Sequence, residues 1–275
     1  FQNLTVNKTG GALSHGIVPV TVAGTFSHSA GTITQGTGTI TLNGASNTVT
    51  GTFTKNAGGL IVFSRGGAQS LAAGGRDLGN VTVSGAGTVL TLTNQTVTFD
   101  AVTVGAGAEL ELSGAGGVLV AQINTGRTLT NNGTVRVVST GTNMATLAGN
   151  GGTASYTGTD ITWNGQRLTL SSILYGPAMN LGAGATLILG NGSNTFAGIN
   201  TGSSTFDANG QNWSSSGSWV NTNGTLSNTA GTATFTGAVQ TITTGGTGAG
   251  KSFGGVSISG TYSLATNPLS AASLG

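Results

Sequence analysis

The sequence predicts an all-β protein, a single parallel β-helix running through residues 1–275 in about a dozen coils. Three observations predict it: a composition poor in helix formers, an internal repeat near 20 residues that keeps its apolar positions, and turn dipeptides between short strand-like segments.

Charged residues are 5% of the chain, against about a quarter in an average globular domain. Glu, Lys and Leu give way to Gly and Thr, with 51 Gly in 275 residues. The missing residues favour helices, whereas those present favour strands and turns. Disordered chains are usually charged and poor in Val and Ile, but mean hydropathy here is +0.17 and apolar residues alternate with polar ones. An ordered β protein follows.

The repeat is read by aligning "GTFSHSAGTITQGTGTITLNGASNTVTG", from Gly24 to Gly51, with "GSWVNTNGTLSNTAGTATFTGAVQTITTG", from Gly217 to Gly245. With one single-residue insertion, Phe26 matches Trp219, Ile33 matches Leu226, Leu42 matches Phe235, and Val49 matches Ile242. Apolar positions persist while polar ones drift, as expected of strands facing one core in successive turns. A second repeat places a large apolar residue before an apolar-polar-apolar triplet: "FQNLTV" at Phe1, "LGNVTV" at Leu78, "FDAVTV" at Phe99 and "FGGVSI" at Phe253. This predicts Val81, Val83, Val102 and Val104 pointing inward on adjacent rungs, with Thr and Asn stacked in ladders.

Turn signals complete the coil. Asn43-Gly44, Asn132-Gly133, Asn164-Gly165, Asn191-Gly192, Asn209-Gly210 and Asn223-Gly224 are each expected to supply positive backbone angles at a corner. With a period of roughly 20 to 24 residues and about 4.8 Å per rung, the stack is about 60 Å long. From 139 to 181 the rhythm weakens and irregular coils are expected. Right-handedness follows from the usual hand of parallel crossovers.

The "FxNLTV" heads, the "GTFTxxAGT" segments and the Gly, Thr and Asn bias resemble the large β-strand-repeat surface proteins of bacteria, including filamentous-haemagglutinin-like adhesins and autotransporter passengers. The resemblance implies a right-handed β-helix, an exported chain and an extracellular or cell-surface place. It carries no catalytic residue. The expected role is a structural or adhesive rod, with this chain a segment of a longer one. Its expected neighbours are further coils of the same parent or copies stacked end to end, because terminal coils expose core and strand edges. Surface glycans are a further candidate partner.

Other classes are disfavoured. Eight basic and six acidic residues leave a formal net charge of +2, too little clustered charge for nucleic acid. No cysteine is present, so disulfides and thiolate metal sites are out. No apolar run reaches the length of a transmembrane helix. "GGTGAGKS" fits the P-loop pattern at Gly245, Gly250, Lys251 and Ser252, but a strand pattern follows where the phosphate-binding helix would start. It is read as a glycine-rich turn, with Lys251 exposed and no cofactor bound.

The acids are Asp77, Asp100, Glu109, Glu111, Asp160 and Asp207. Glu109 and Glu111 form the one close pair, outward-facing and solvated, while Leu110 and Leu112 point to the core. Paired carboxylates facing one bond, or a cluster of acids for calcium, are not evident, so no enzyme and no metal site is expected. Tyr156, Trp163, Arg167 and Tyr175 lie in the irregular stretch and are the weak candidates for a glycan grip. The alternative functions are glycan binding and ice binding. The latter wants the same outward Thr pair on every coil, whereas here the outward residues switch among Thr, Ser, Asn and Lys.

Overall fold

The computed structural model describes residues 1–139, 143–158, 161–163, 167–176, 178–190, 194–265 and 267–275. The chain is a β-solenoid of about 12 turns in which the strands stack in parallel, with no helix among the described residues. Each turn visits three faces in the same order.

Face III is the continuous one. It begins with Val20–Val22, Thr39–Leu42, Leu60–Phe63, Asn80–Val83 and Val102–Val104, and ends with Phe253–Ile258 and Ala271–Leu274. Face I carries Phe26–His28, Ser46–Val49, Ala68–Ala72, Val89–Thr93, Glu109–Ser113, Thr134–Val138 and Ile161–Trp163. A separate sheet then takes the same place in each turn, from Met179–Asn180 to Tyr262–Ala265. Face II includes Thr96–Phe99, Leu119–Asn124, Ala145–Asn150, Arg167–Ser171, Thr186–Leu189 and Thr205–Asp207.

Alternation explains the core. Successive strand residues point to opposite sides, so in Val-Thr-Val triplets the valines enter the lumen and the threonine meets water. Val81 pairs with Val102 and Val83 with Val104, all buried as the repeat predicts. All eight apolar residues matched between Gly24–Gly51 and Gly217–Gly245 are buried, at most 4% exposed. The outward column of face III carries Thr21, Thr41, Thr82, Thr103 and Thr130, with Val62 interrupting it.

Three local expectations change. "FQNLTV" is out of phase with its siblings: its Leu4-Thr5-Val6 pairs with Phe26–His28 on face I, and Phe1 is 69% exposed. The other three heads, Leu78, Phe99 and Phe253, are buried before face III strands. The second change concerns Asn-Gly corners. Only Asn209-Gly210 has positive angles at both residues, φ 50 and 72. Gly44, Gly133 and Gly224 are needed for another reason: a Cβ there would strike the carbonyl oxygens of Gly24, Ala108 and Ser204 on the preceding turn. Asn164-Gly165 and Asn191-Gly192 lie outside the described residues.

The third concerns the irregular stretch. Leu129 pairs with Val102, and Tyr156 with Leu129, each 27 residues on, whereas Tyr175 follows Tyr156 by 19. The longest turns therefore begin before 139. Their face II strands, Leu119–Asn124 and Ala145–Asn150, run to six residues each.

Candidate functional site

The densest polar constellation follows one corner, where face II ends on five successive turns. Lys55, Asp77, Asp100, Asn124 and Asn150 stand there in a column. Lys55 Nζ lies 2.6 Å from Asp77 Oδ2 and 2.6 Å from Asp100 Oδ1. Asn124 Nδ2 donates to the same two oxygens at 3.0 and 2.8 Å, and Asn150 Nδ2 donates to Asn124 Oδ1 at 3.0 Å. Each bond joins different turns, so the column ties the stack along its axis.

Burial alone would pull the Lys55 pKa down, but hydrogen bonds from its ammonium to Asp100 and Asp77 outweigh it and hold the pKa above its ordinary value. Burial alone would raise Asp100, but the bonds from Lys55 and Asn124 win and hold it below its ordinary value. An acid held ionised in this way is a poor proton donor at neutral pH. Lys55 also fills the place between the carboxylates that a metal ion would take.

Glu109 and Glu111 stand outward on face I, with Leu110 and Leu112 buried behind them, as alternation predicts. They are not simply solvated. Arg136, on the next turn, reaches Glu109 with Nε at 2.6 Å and Glu111 with Nη2 at 2.5 Å. A guanidinium fork suits two carboxylates side by side, and bonding to Glu109 first, then proximity to Glu111, raises the Arg136 pKa.

A buried histidine lies inside the front turns. His28 is fully buried, with Nε2 3.2 Å from Gly31 O, and burial lowers its pKa. No group of three or more His, Asp or Glu side chains suited to a metal converges among the described residues.

The P-loop match is a corner. Gly245 and Gly250 have φ +69 and +73, and the chain passes directly into the strand Phe253–Ile258. Ser252 Oγ meets Ser270 Oγ at 2.9 Å. Lys251 is not exposed as expected: it is half-buried, and its Nζ donates to Gly224 O on the previous turn. An aliphatic stem laid over the stack explains the burial.

The weak glycan candidates do not gather on the surface. Tyr156 and Tyr175 are fully buried and stacked, ring centres 4.6 Å apart and 6° from parallel. Asn131 Nδ2 donates to Tyr156 Oη, and Ile161 N donates to Tyr175 Oη. Arg167 is half-buried, and its backbone amide donates to Ser139 Oγ at 2.7 Å. Trp163 ends a face I strand beside Val137, its side chain outside the described set, as is Asp160.

Sequence reasoning missed the corner column although a signal existed. Lys55, Asp77, Asp100 and Asn124 recur at about the coil period, with Lys55 to Asp77 spanning 22 residues and Asp100 to Asn124 spanning 24. Testing charged residues against that period would have found them. Compared with models of protein families, with curated proteins and with solved structures, the chain matches none.

Proposed function

We propose that this chain is a structural or adhesive rod segment of a large exported bacterial surface or filament protein, placed outside the cell and without catalysis. The observation that carries the reading is the use of charge. Asp77, Asp100, Glu109 and Glu111 are each paired with a cation from another turn, so ionisable groups are spent on axial cohesion instead of on a cleft. In this reading the segment's axial neighbours are further coils of one chain or another copy.

The ice-binding alternative requires paired files of threonine. On face III the file through Thr41, Thr82, Thr103 and Thr130 is broken at Val62, and the neighbouring file through Thr128, Ser155 and Thr195 is broken at Leu174, which favours the rod.

Small-angle scattering and an activity screen test the reading together. A thin rod about 60 Å long, or multiples of that length at higher concentration, is the expected scattering result. Release of reducing ends from a polysaccharide panel, lost in Asp100→Asn or Glu109→Gln, would overturn it.

A further inference from the structure

Among the described Asn-Gly corners, Asn209-Gly210 stands clear of the stack. Gln211 N donates to Ala208 O at 2.8 Å, and the positive φ of both residues between them makes this a type I′ turn. Asn209 and Gly210 are both exposed. A Cβ on Gly210 would meet nothing nearer than Ala230 Cβ at 4.0 Å, and Gly210 N donates to no group among the described residues. The other pairs are held. Gly44, Gly133 and Gly224 press on carbonyl oxygens of the preceding turn, and Gly133 N donates to Asn131 Oδ1 at 3.1 Å. Asn150, which precedes Gly151, ends a strand in register with Asn124 and donates Nδ2 to Asn124 Oδ1.

That difference matters to asparagine chemistry. The amide nitrogen that follows an asparagine can attack its side-chain Cγ and close a five-membered imide, but only when the nitrogen lies alongside Cβ. A type I′ turn, with ψ of about +30° at its first central residue, turns the nitrogen away; a type II′ turn, with φ still positive and ψ of about −120°, brings it there. Turning the single peptide plane between Asn209 and Gly210 converts one turn into the other. Asn209 φ already suits both, and Gly210 tolerates either sign of φ. The bonds given up are two weak ones at the surface, from Gln211 Nε2 to Asn209 O and from Asn209 Nδ2 to Leu189 O, each 3.2 Å.

We infer that Asn209 is a self-modification site, converting to aspartate and isoaspartate with water as the only co-reactant. Gly210 N forms a bond to Asn209 Cγ and gives its proton to solvent, while the Cγ–Nδ2 bond breaks and ammonia leaves. Water then opens the imide at either carbonyl. Breaking the bond from the nitrogen to Cγ gives aspartate; breaking the bond to the main-chain carbonyl gives isoaspartate, with the main chain rerouted through the former side chain. Either product adds a negative charge beside Asp207, whose Oδ1 accepts Asn209 N at 2.8 Å, and takes the formal net charge from +2 to +1. The step is independent of the rod reading.

The test keeps the 275-residue chain in mildly alkaline buffer, once folded and once unfolded in urea, with circular dichroism checking both states. Mass spectrometry with electron-transfer fragmentation follows each Asn-Gly pair and separates aspartate from isoaspartate. In the folded chain Asn209 should convert about tenfold or more faster than Asn43, Asn132, Asn150 and Asn223, a barrier lower by about 1.4 kcal/mol. In urea, where the turn is gone, the five should agree within about threefold. Both acids should form at 209, because the imide opens at either carbonyl. The inference is overturned if Asn209 leads the others no more in the folded chain than in urea. It is equally overturned if aspartate alone forms at 209, since direct hydrolysis of the side-chain amide gives only that acid.

Discussion

The front of the solenoid, from Val20 to Val138, and the back, from Asn194 to Ile258, fill the same three-sided lumen in different ways. In front, three turns of face III present two aliphatic residues each, Ile40 with Leu42, Val81 with Val83 and Val102 with Val104, while Ile61 is joined by Phe63 and Leu129 by Asn131. Behind, large and small residues alternate in two columns. Phe196, Ser215 and Phe235 follow one another in the first column, while Asn194, Trp213 and Ala233 follow in the second. Each large ring thus lies beside a small residue on its own turn and above another in its column. Trp213 consequently touches Phe196, Phe206, Trp219, Phe235 and Phe253, with centroid distances from 5.0 to 6.4 Å. Charge divides the same way. The front holds the Lys55 and Arg136 clusters, whereas the back contains only Asp207 and Lys251 as charged residues. A repeat that specifies only "apolar here" leaves volume free, and neighbouring turns settle it together.

The sharpest way to break this comparison is to remove one large side chain from each half. Trp213→Ala should cost about 4 kcal/mol, since five aromatic neighbours lose a partner and cannot collapse into the space. Val102→Ala should cost about 2 kcal/mol, by the methyl groups lost from the lumen. Urea unfolding of both variants checks the ratio. Equal costs would mean that the back core is no more interlocked than the front.

The corner after face III gives the next largest contrast. A Cβ on Gly217 would land on the carbonyl of Ala197, and one on Gly237 on that of Ser216. The front corners are mixed: Gly44 and Gly133 approach carbonyls as closely as these, whereas a Cβ on Gly105 meets Val83 O at 3.4 Å, an ordinary contact. Gly217→Ala should therefore destabilise by about 2 kcal/mol, and Gly105→Ala should stay within about 0.5 kcal/mol of the unaltered chain. Thermal melts of the two variants distinguish them.

Acid should separate the halves most subtly. Asp100 is held below its ordinary 3.8, so its contribution to stability is present above that pH and is lost as pH falls through its lower folded value. His28 is held below its ordinary 6.5 by burial, so the unfolded chain takes up its proton first and stability declines as pH drops below 6.5. Both effects run in one direction, and both groups are in front. Hydrogen exchange, corrected for intrinsic rates, should show amides of 20–138 losing protection before those of 194–258, first below pH 6.5 through His28 and further below pH 3.8 through Asp100. Uniform loss would remove the electrostatic half of the comparison.

Much of this architecture was legible from residues alone. Period, alternation and composition specify parallel rungs and name their inward side chains, because strand geometry sends every second residue into the lumen whatever its neighbours are. Glu109 and Glu111 were placed outward, and the P-loop match was read as a turn, on that same rule. Which turn a side chain reaches is a different matter. Lys55 and Asn124 both meet Asp77 and Asp100 only because insertions within coils are absorbed at corners, keeping those four on one edge despite unequal spacing. Likewise Tyr156 and Tyr175, read as candidates for a surface grip, face inward by alternation, and a turn of 19 residues sets one ring directly over the other. Local sequence determined the strand period and the inside of each strand; the stacking of one turn on the next decided the charge pairs and the aromatic checkerboard, since those contacts join residues a full coil apart.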